Sequence, residues 1–199
     1  MADHPTFIAL IGAPGSGKTV LANEIAKQLD GPVTVVDGYV QKTQKEMDLA
    51  LGGYATYFGN LAVALNRVGA EREAIKGKPD YVITCGTHIE TIVYSSISAY
   101  FEQRENPEAN DLHLERTSIF MRFLGMLSND TFGYAHVFLL PLPDPKDEFA
   151  KRVHEEILMA VDTFGVEYTR LDEDPDKQIE KALSEIREGD NEAEVSEGQ

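Results

Sequence analysis

One three-layer α/β/α domain with a mainly parallel five-stranded sheet is the fold class this sequence predicts. Three observations predict it. Five short apolar runs alternate with longer stretches of helical spacing, the order that places parallel strands between two layers of helices. Helix-breaking segments, Gly31-Pro32, Gly77-Lys78-Pro79 and Pro141-Leu142-Pro143-Asp144-Pro145, punctuate the alternation. A chain of 199 residues, 42% of them hydrophobic, suffices for one full core, and it shows no internal repeat or interdomain linker.

Taken in order, the strands fall at residues 7–11, 33–36, 81–84, 135–140 and 166–171, each short and apolar as a strand covered on both faces should be. Helices are predicted at 18–29, about 54–75, 90–101, 112–127, 149–164 and 175–187. In the first of these, Leu21, Ala22, Ile25, Ala26 and Leu29 recur at the spacing of one helix face. The domain so defined spans residues 1–187, and the acidic residues 188–199 are predicted to be a disordered, solubilising tail.

The turn between the first strand and the first helix reads Gly12-Ala13-Pro14-Gly15-Ser16-Gly17-Lys18-Thr19 and fits G-x-x-x-x-G-K-[ST]. In this strand–turn–helix setting the pattern is that of a phosphate-binding P-loop. Its glycines let successive backbone N–H groups converge on one anion, and the helix that follows presents its positive dipole end to the same charge. Lys18 is placed to reach the β- and γ-phosphates of a nucleoside triphosphate, and the Thr19 hydroxyl to ligate Mg²⁺. ATP and Mg²⁺ are the expected cofactors.

Composition narrows the setting. No run of about 18 apolar residues and no secretory h-region precedes the first strand, so a cytoplasmic protein without membrane contact is expected. A lone Cys85 in an apolar run agrees with a reducing compartment and a buried packing role. The formal charge of −16 is uneven: Asp172 to Gln199 holds eleven acidic and three basic residues, half of the excess. Such a charge disfavours indiscriminate binding to a phosphate backbone, although a local basic patch would override it.

In parallel sheets of this type ligands bind outside the carboxyl ends of the strands. Asp37-Gly38-Tyr39 follows the second strand and Cys85-Gly86-Thr87-His88-Ile89-Glu90 the third. Asp37 is the best acid to take the proton of an attacking hydroxyl and to assist Thr19 with the metal; its structural alternative is to cap the next helix or turn. Tyr39 is placed to stack on a bound ring. Glu90 stands at a helix start, where it is either a substrate contact or a favourable charge at the helix N-terminus. His88 either polarises substrate or packs, with no Cys or second His nearby to make a metal site. Clamps for the transferred phosphoryl come from Arg67, Arg72, Arg116, Arg122, Lys151 and Arg152; of these, Arg152 is assigned a catalytic role and Arg116 a substrate contact, each against the alternative of a solvated helix face. No Asn-Lys-x-Asp guanine motif or obvious arginine-finger motif is present.

The whole order, from the P-loop through Asp37-Gly38-Tyr39 to Gly86-Thr87-His88-Ile89-Glu90-Thr91-Ile92-Val93-Tyr94-Ser95, resembles the small P-loop nucleoside and nucleotide kinases. It is similar above all to the ribosylnicotinamide-kinase-like branch and to related kinases of tailed phages, some of which phosphorylate hydroxymethyluracil in DNA. The resemblance spans roughly residues 6–187 and implies the kinase-type strand order 2-3-1-4-5. It implies an ATP- and Mg²⁺-dependent phosphotransferase acting on a nucleoside- or nucleotide-like acceptor, with Asp37 near the acceptor hydroxyl, Tyr39 beside it, and basic residues such as Lys146, Lys151 and Arg152 in a lid. Where many relatives carry Asp-Arg-Gly after the third strand, this chain has Thr84-Cys85-Gly86; Glu90 is the candidate to compensate. Two other readings stay open: a kinase of a hydroxymethylated pyrimidine in phage-type DNA, and a nucleotide-controlled ATPase or binding protein with a protein partner.

Overall fold

The computed structural model describes residues 4–49, 57–105, 133–142, 144 and 146–197. Five strands, β1 (Thr6–Ile11), β2 (Val33–Val36), β3 (Tyr81–Cys85), β4 (His136–Leu139) and β5 (Thr169–Arg170), form one sheet in the order β2-β3-β1-β4-β5. Every pairing is parallel, so each connection must cross over a face and the helices are forced onto both sides. The described helices are α1 (Lys18–Ala26), α2 (Tyr39–Met47), α3 (Tyr57–Ala74), α4 (His88–Glu105), α5 (Glu148–Phe164) and α6 (Pro175–Glu197). None is long and apolar enough to cross a membrane.

Side-chain alternation along the central strands builds two core layers. Ile8 and Leu10 of β1, with Phe138 of β4 and Leu140 just beyond it, pack with Leu21 and Ile25 of α1 and Leu183 and Ile186 of α6. Ala9, Ile11, Val137 and Leu139 turn the other way and meet Ile89, Val93 and Ile97 of α4 and Val153, Ile157 and Val161 of α5. Beside that second layer Phe7, Val36 and Val82 pack with Tyr39 of α2 and Ala74 of α3.

Among the described residues the observed elements differ from the expected ones in three places. Helix α2 was not expected: Tyr39–Met47 is mostly polar, and what settles it is burial of Tyr39 and Thr43, four residues apart on its inner face. Strand β5 is shorter than residues 166–171 because Gly165, at φ +63, ends α5 in a Schellman turn in which Gly165 donates to Asp162 and Val166 to Val161. Val166 is thus spent on the helix end. The final helix continues past residue 187, where a disordered tail was expected. Tyr81 Oη donates to Asp190 Oδ2 at 2.6 Å and Gly189 lies against the His136 ring, contacts with the sheet that hold this turn in place. The helix expected at 112–127 lies outside the described residues.

Candidate functional site

The P-loop leaves β1 at Gly12 and enters α1 at Lys18, with Gly17 as N-cap at φ +90, a left-handed conformation that side-chain-bearing residues rarely adopt. A cavity of about 710 Å³ opens here, bounded by the P-loop, the ends of β2 and β3, and the inward faces of α2, α3 and α4. The mouth of a P-loop beside the carboxyl ends of parallel strands is where such a sheet is expected to hold its ligand.

Lys18 is the one cationic side chain among the described residues lining this cavity. Its Nζ donates to the carbonyls of Gly12 at 2.6 Å and Ala13 at 3.1 Å, which folds it over the loop. Burial lowers its pKa, while Glu90, Cys85 and Asp37 oppose that shift. Ser16 Oγ is buried in the loop with no hydrogen-bond partner, a donor left for a ligand oxygen. The loop therefore has the donors and charge that a triphosphate requires.

Thr19 and Asp37 meet: the Thr19 hydroxyl donates to Asp37 Oδ2 at 2.7 Å. Asp37 does not cap α2, whose N-cap is Gly38 at φ +72. Two hard oxygen donors adjoining a phosphate cradle suit Mg²⁺, which takes few protein ligands and fills its octahedron with water and phosphate oxygens. Among the described residues no cluster of three or more His, Cys, Asp or Glu side chains could hold a metal by itself.

Glu90 is buried, and its carboxylate is occupied by protein donors. Oε1 accepts from the Gly12 N–H at 3.3 Å; Oε2 accepts from the Thr87 N–H at 2.5 Å and the Thr87 hydroxyl at 3.0 Å. Thr87 Oγ1 in turn accepts from the Ile89 N–H at 3.1 Å. This is a capping box at the start of α4, with one carboxylate oxygen extended to brace the P-loop. The T-x-x-E spacing of Thr87 and Glu90 was a readable signal for it. Glu90 nonetheless lines the cavity.

Tyr39 also lines the cavity, but it is buried and its hydroxyl donates to the Cys85 carbonyl at 2.8 Å. Burial, then the Glu90 charge, raises its pKa well above the usual phenol range. Cys85 is a buried free thiol, as expected, pushed up to about 12 by burial and Asp37.

Two expected site residues lie elsewhere. His88 does not line the cavity; burial, with the Arg67 charge second, holds its imidazole at about 4. It packs because α4 turns its next residues, Glu90, Thr91 and Tyr94, to the cavity instead. Arg152 is half exposed on α5, pairs with Glu156 at 2.7 Å and does not line the cavity. It sits one turn from Glu156, so an i,i+4 partner on its own helix is nearer than the P-loop. Arg116 lies outside the described residues. The residue that inspection of the sequence missed is Asn60 of α3: it is 7% exposed, lines the cavity, and its Nδ2 has no hydrogen-bond partner.

No family model matches this sequence, and no curated protein matches it. Solved structures do match. The NadR protein in complex with NR aligns at a TM-score of 0.70 and 14% identity over 93% of this chain. Thymidylate kinase from Candida albicans aligns at 0.63 and 16% over 96% of this chain and 95% of its own. Deoxyadenosine kinase from M. mycoides aligns at 0.62 and 13% over 92% of this chain and 100% of its own. The present chain spans about half of the NadR chain, 50% of its length. What these likenesses show is the fold: that of the small P-loop nucleoside and nucleotide kinases, with the 2-3-1-4-5 strand order that the resemblance implied.

Proposed function

We propose that this chain is a phosphotransferase that moves the γ-phosphate of ATP, as its Mg²⁺ complex, to a hydroxyl or phosphate of a nucleoside-like acceptor. The observation that carries the reading is the Thr19–Asp37 contact of 2.7 Å beside Lys18, inside a cavity that continues past the P-loop to α3 and α4. A triphosphate alone would need only the loop; the extra room is what a second substrate requires. The fold shared with kinases of nucleosides and nucleotides supports this acceptor class.

Bound through Thr19 and Asp37, the cation would neutralise developing charge on the phosphate oxygens. The P-loop amides, Ser16 and Lys18 hold the β- and γ-phosphates. An acceptor oxygen attacks the γ-phosphorus, the bond to the β,γ-bridging oxygen breaks, and ADP leaves. Where the acceptor is a hydroxyl, its proton goes to the Asp37 carboxylate. Tyr39, Tyr94 and Phe149 line the cavity and give a ring-bearing acceptor apolar surface, the rings of Tyr94 and Phe149 standing 6.4 Å apart.

The test is a transfer screen with γ-labelled ATP against nucleosides, nucleoside monophosphates and hydroxymethyluracil-containing DNA. Asp37→Asn is expected to lower turnover by at least about a hundredfold, the low end for loss of a general base, while the chain still binds ATP. Label that appears only as inorganic phosphate, stimulated by another protein, would replace this reading with a nucleotide-controlled one.

A further inference from the structure

One face of α3 brings Asn60 and Val63 to the cavity; another is apolar and open to solvent. On that outer face Phe58 is 59% exposed and Leu65 48%, with Leu61 half-buried between them. The stripe continues through Gly69 and Arg72, both exposed. From Phe58 to Leu61, Leu65, Gly69 and Arg72 the intervals are three, four, four and three residues, the spacing of one helix seam. This spacing reads the same from either end about Leu65. Gly69 is the member that the fold of the chain does not explain. A glycine inside a helix costs stability relative to alanine, yet a Cβ here would meet nothing within 4 Å. Close approach of a second helix accounts for it. Charge singles out the same side of the molecule. The chain carries a formal charge of −16, but α2 and α3 hold four cationic side chains, Lys42, Lys45, Arg67 and Arg72, against the three acids Glu46, Glu71 and Glu73. The acid-rich α6 packs with α1 on the opposite side of the sheet, so two copies of this acidic chain repel each other least across α3.

We infer that this face of α3 is the interface of a homodimer, in which two copies of the helix cross antiparallel about a two-fold axis at Leu65. A two-fold axis sets residue i against j and j against i. Leu65 then packs on Leu65 of the partner subunit, Leu61 lies over Gly69 of the partner subunit, and Phe58 faces Arg72 of the partner subunit. The axis puts a long side chain against a missing one and a ring against a guanidinium, a cation–π pair. No like charges face each other along the seam. A palindromic stripe is what a self-complementary surface needs, whereas an unrelated partner would place no such demand on it. The interface is independent of the phosphotransfer reading, but it lies on the helix that also forms a wall of the cavity, so the partner holds that wall from outside.

The test is analytical sedimentation of the full chain, with residue 65 as the probe of the axis. At micromolar concentration the parent should sediment at twice its 22.0 kDa. Leu65→Glu sets two carboxylates against each other at the axis and Leu65→Lys two ammonium groups, so each alone should be monomeric. An equimolar mixture of the two should regain the dimer, because opposite charges then meet. Leu65→Cys should become a disulfide-linked dimer on mild oxidation, since the one native thiol, Cys85, is buried. Gly69→Ala has room for its methyl within its own chain but pushes against Leu61 of the partner subunit at two places per dimer, and should raise the dissociation constant at least about tenfold. Every variant should keep the parent's far-ultraviolet circular dichroism, which tells lost pairing from lost folding. A monomeric parent, including one that pairs only with a different protein, overturns the inference. So does a dimer that survives Leu65→Glu, or a Glu and Lys mixture that stays monomeric.

Discussion

Replacing Glu90 by Gln changes one atom, and the structure states what that atom holds. The carboxylate accepts three hydrogen bonds: from Gly12 N–H through Oε1, and from Thr87 N–H and Thr87 Oγ1–H through Oε2. A carboxamide has one oxygen and one NH₂. Its least costly orientation keeps the oxygen at Thr87 and turns the NH₂ toward the Gly12 N–H, donor against donor. One buried amide is then orphaned, at a cost of about 1–3 kcal/mol, while Glu90→Ala orphans Gly12 and Thr87 together and costs about 2–6 kcal/mol. In urea unfolding, with a slope of about 2 kcal/mol per molar, the Gln variant should lose about 1 M in midpoint. Amide hydrogen exchange localises the effect: the Gly12 N–H should lose protection in Glu90→Gln and the Thr87 N–H should not, whereas both should lose it in Glu90→Ala. Thr87→Ala shares the capping box, so its cost should fall short of additivity with Glu90→Ala by about 0.5 kcal/mol or more. An unchanged midpoint together with unchanged Gly12 exchange in Glu90→Gln would refute the idea that this side chain ties α4 to the P-loop.

Gly86 sits at φ +110, and a Cβ placed there would come within 2.6 Å of Tyr39 Oη; Gly86→Ala should cost about 2–4 kcal/mol from backbone strain and overpacking, part of it recovered when Tyr39→Phe is added, as denaturant titration of the double variant will show. His88 supplies a pH dependence. Its folded pKa of about 4 lies below the ordinary 6.5 because of burial and the Arg67 charge, so the unfolded chain binds the extra proton between those values. Stability should rise with pH through that window and be lost as pH falls from 6.5 toward 4, by up to about 3 kcal/mol. His88→Gln should flatten this part of the stability–pH curve; an identical slope in parent and variant rules the assignment out.

Much of the fold was legible because its signals are local. Residues 33–36 carry three valines and one threonine, all β-branched, a strand signal closed by its own residues, and Val33–Val36 is β2. Residues 149–164 were expected to form a helix, and α5 begins one residue earlier, at Glu148, behind the N-cap Asp147, whose Oδ1 accepts from the Phe149 and Ala150 N–H groups. Helix α2 escaped because its stability lies in contacts with α3, such as Asn66 Nδ2 donating to Thr43 Oγ1, and not in its own apolar pattern. His88 and Arg152 were misplaced for a related reason: sequence proximity to a strand end or a lid interval does not say which way a helix faces.

From the sequence alone came the phosphate cradle and the alternation of strands and helices, since a P-loop is closed by eight consecutive residues and a buried strand by its own apolar run. Tertiary structure decided the rest of the site. Thr19 and Asp37 are eighteen residues apart and meet at 2.7 Å only because β1 and β2 are held on either side of β3. Asn60 becomes conspicuous only when α2, α4 and the P-loop close around it. An asparagine in a helix is ordinary until water is excluded from its amide, and exclusion is a property of packing between distant segments, not of any short stretch of chain.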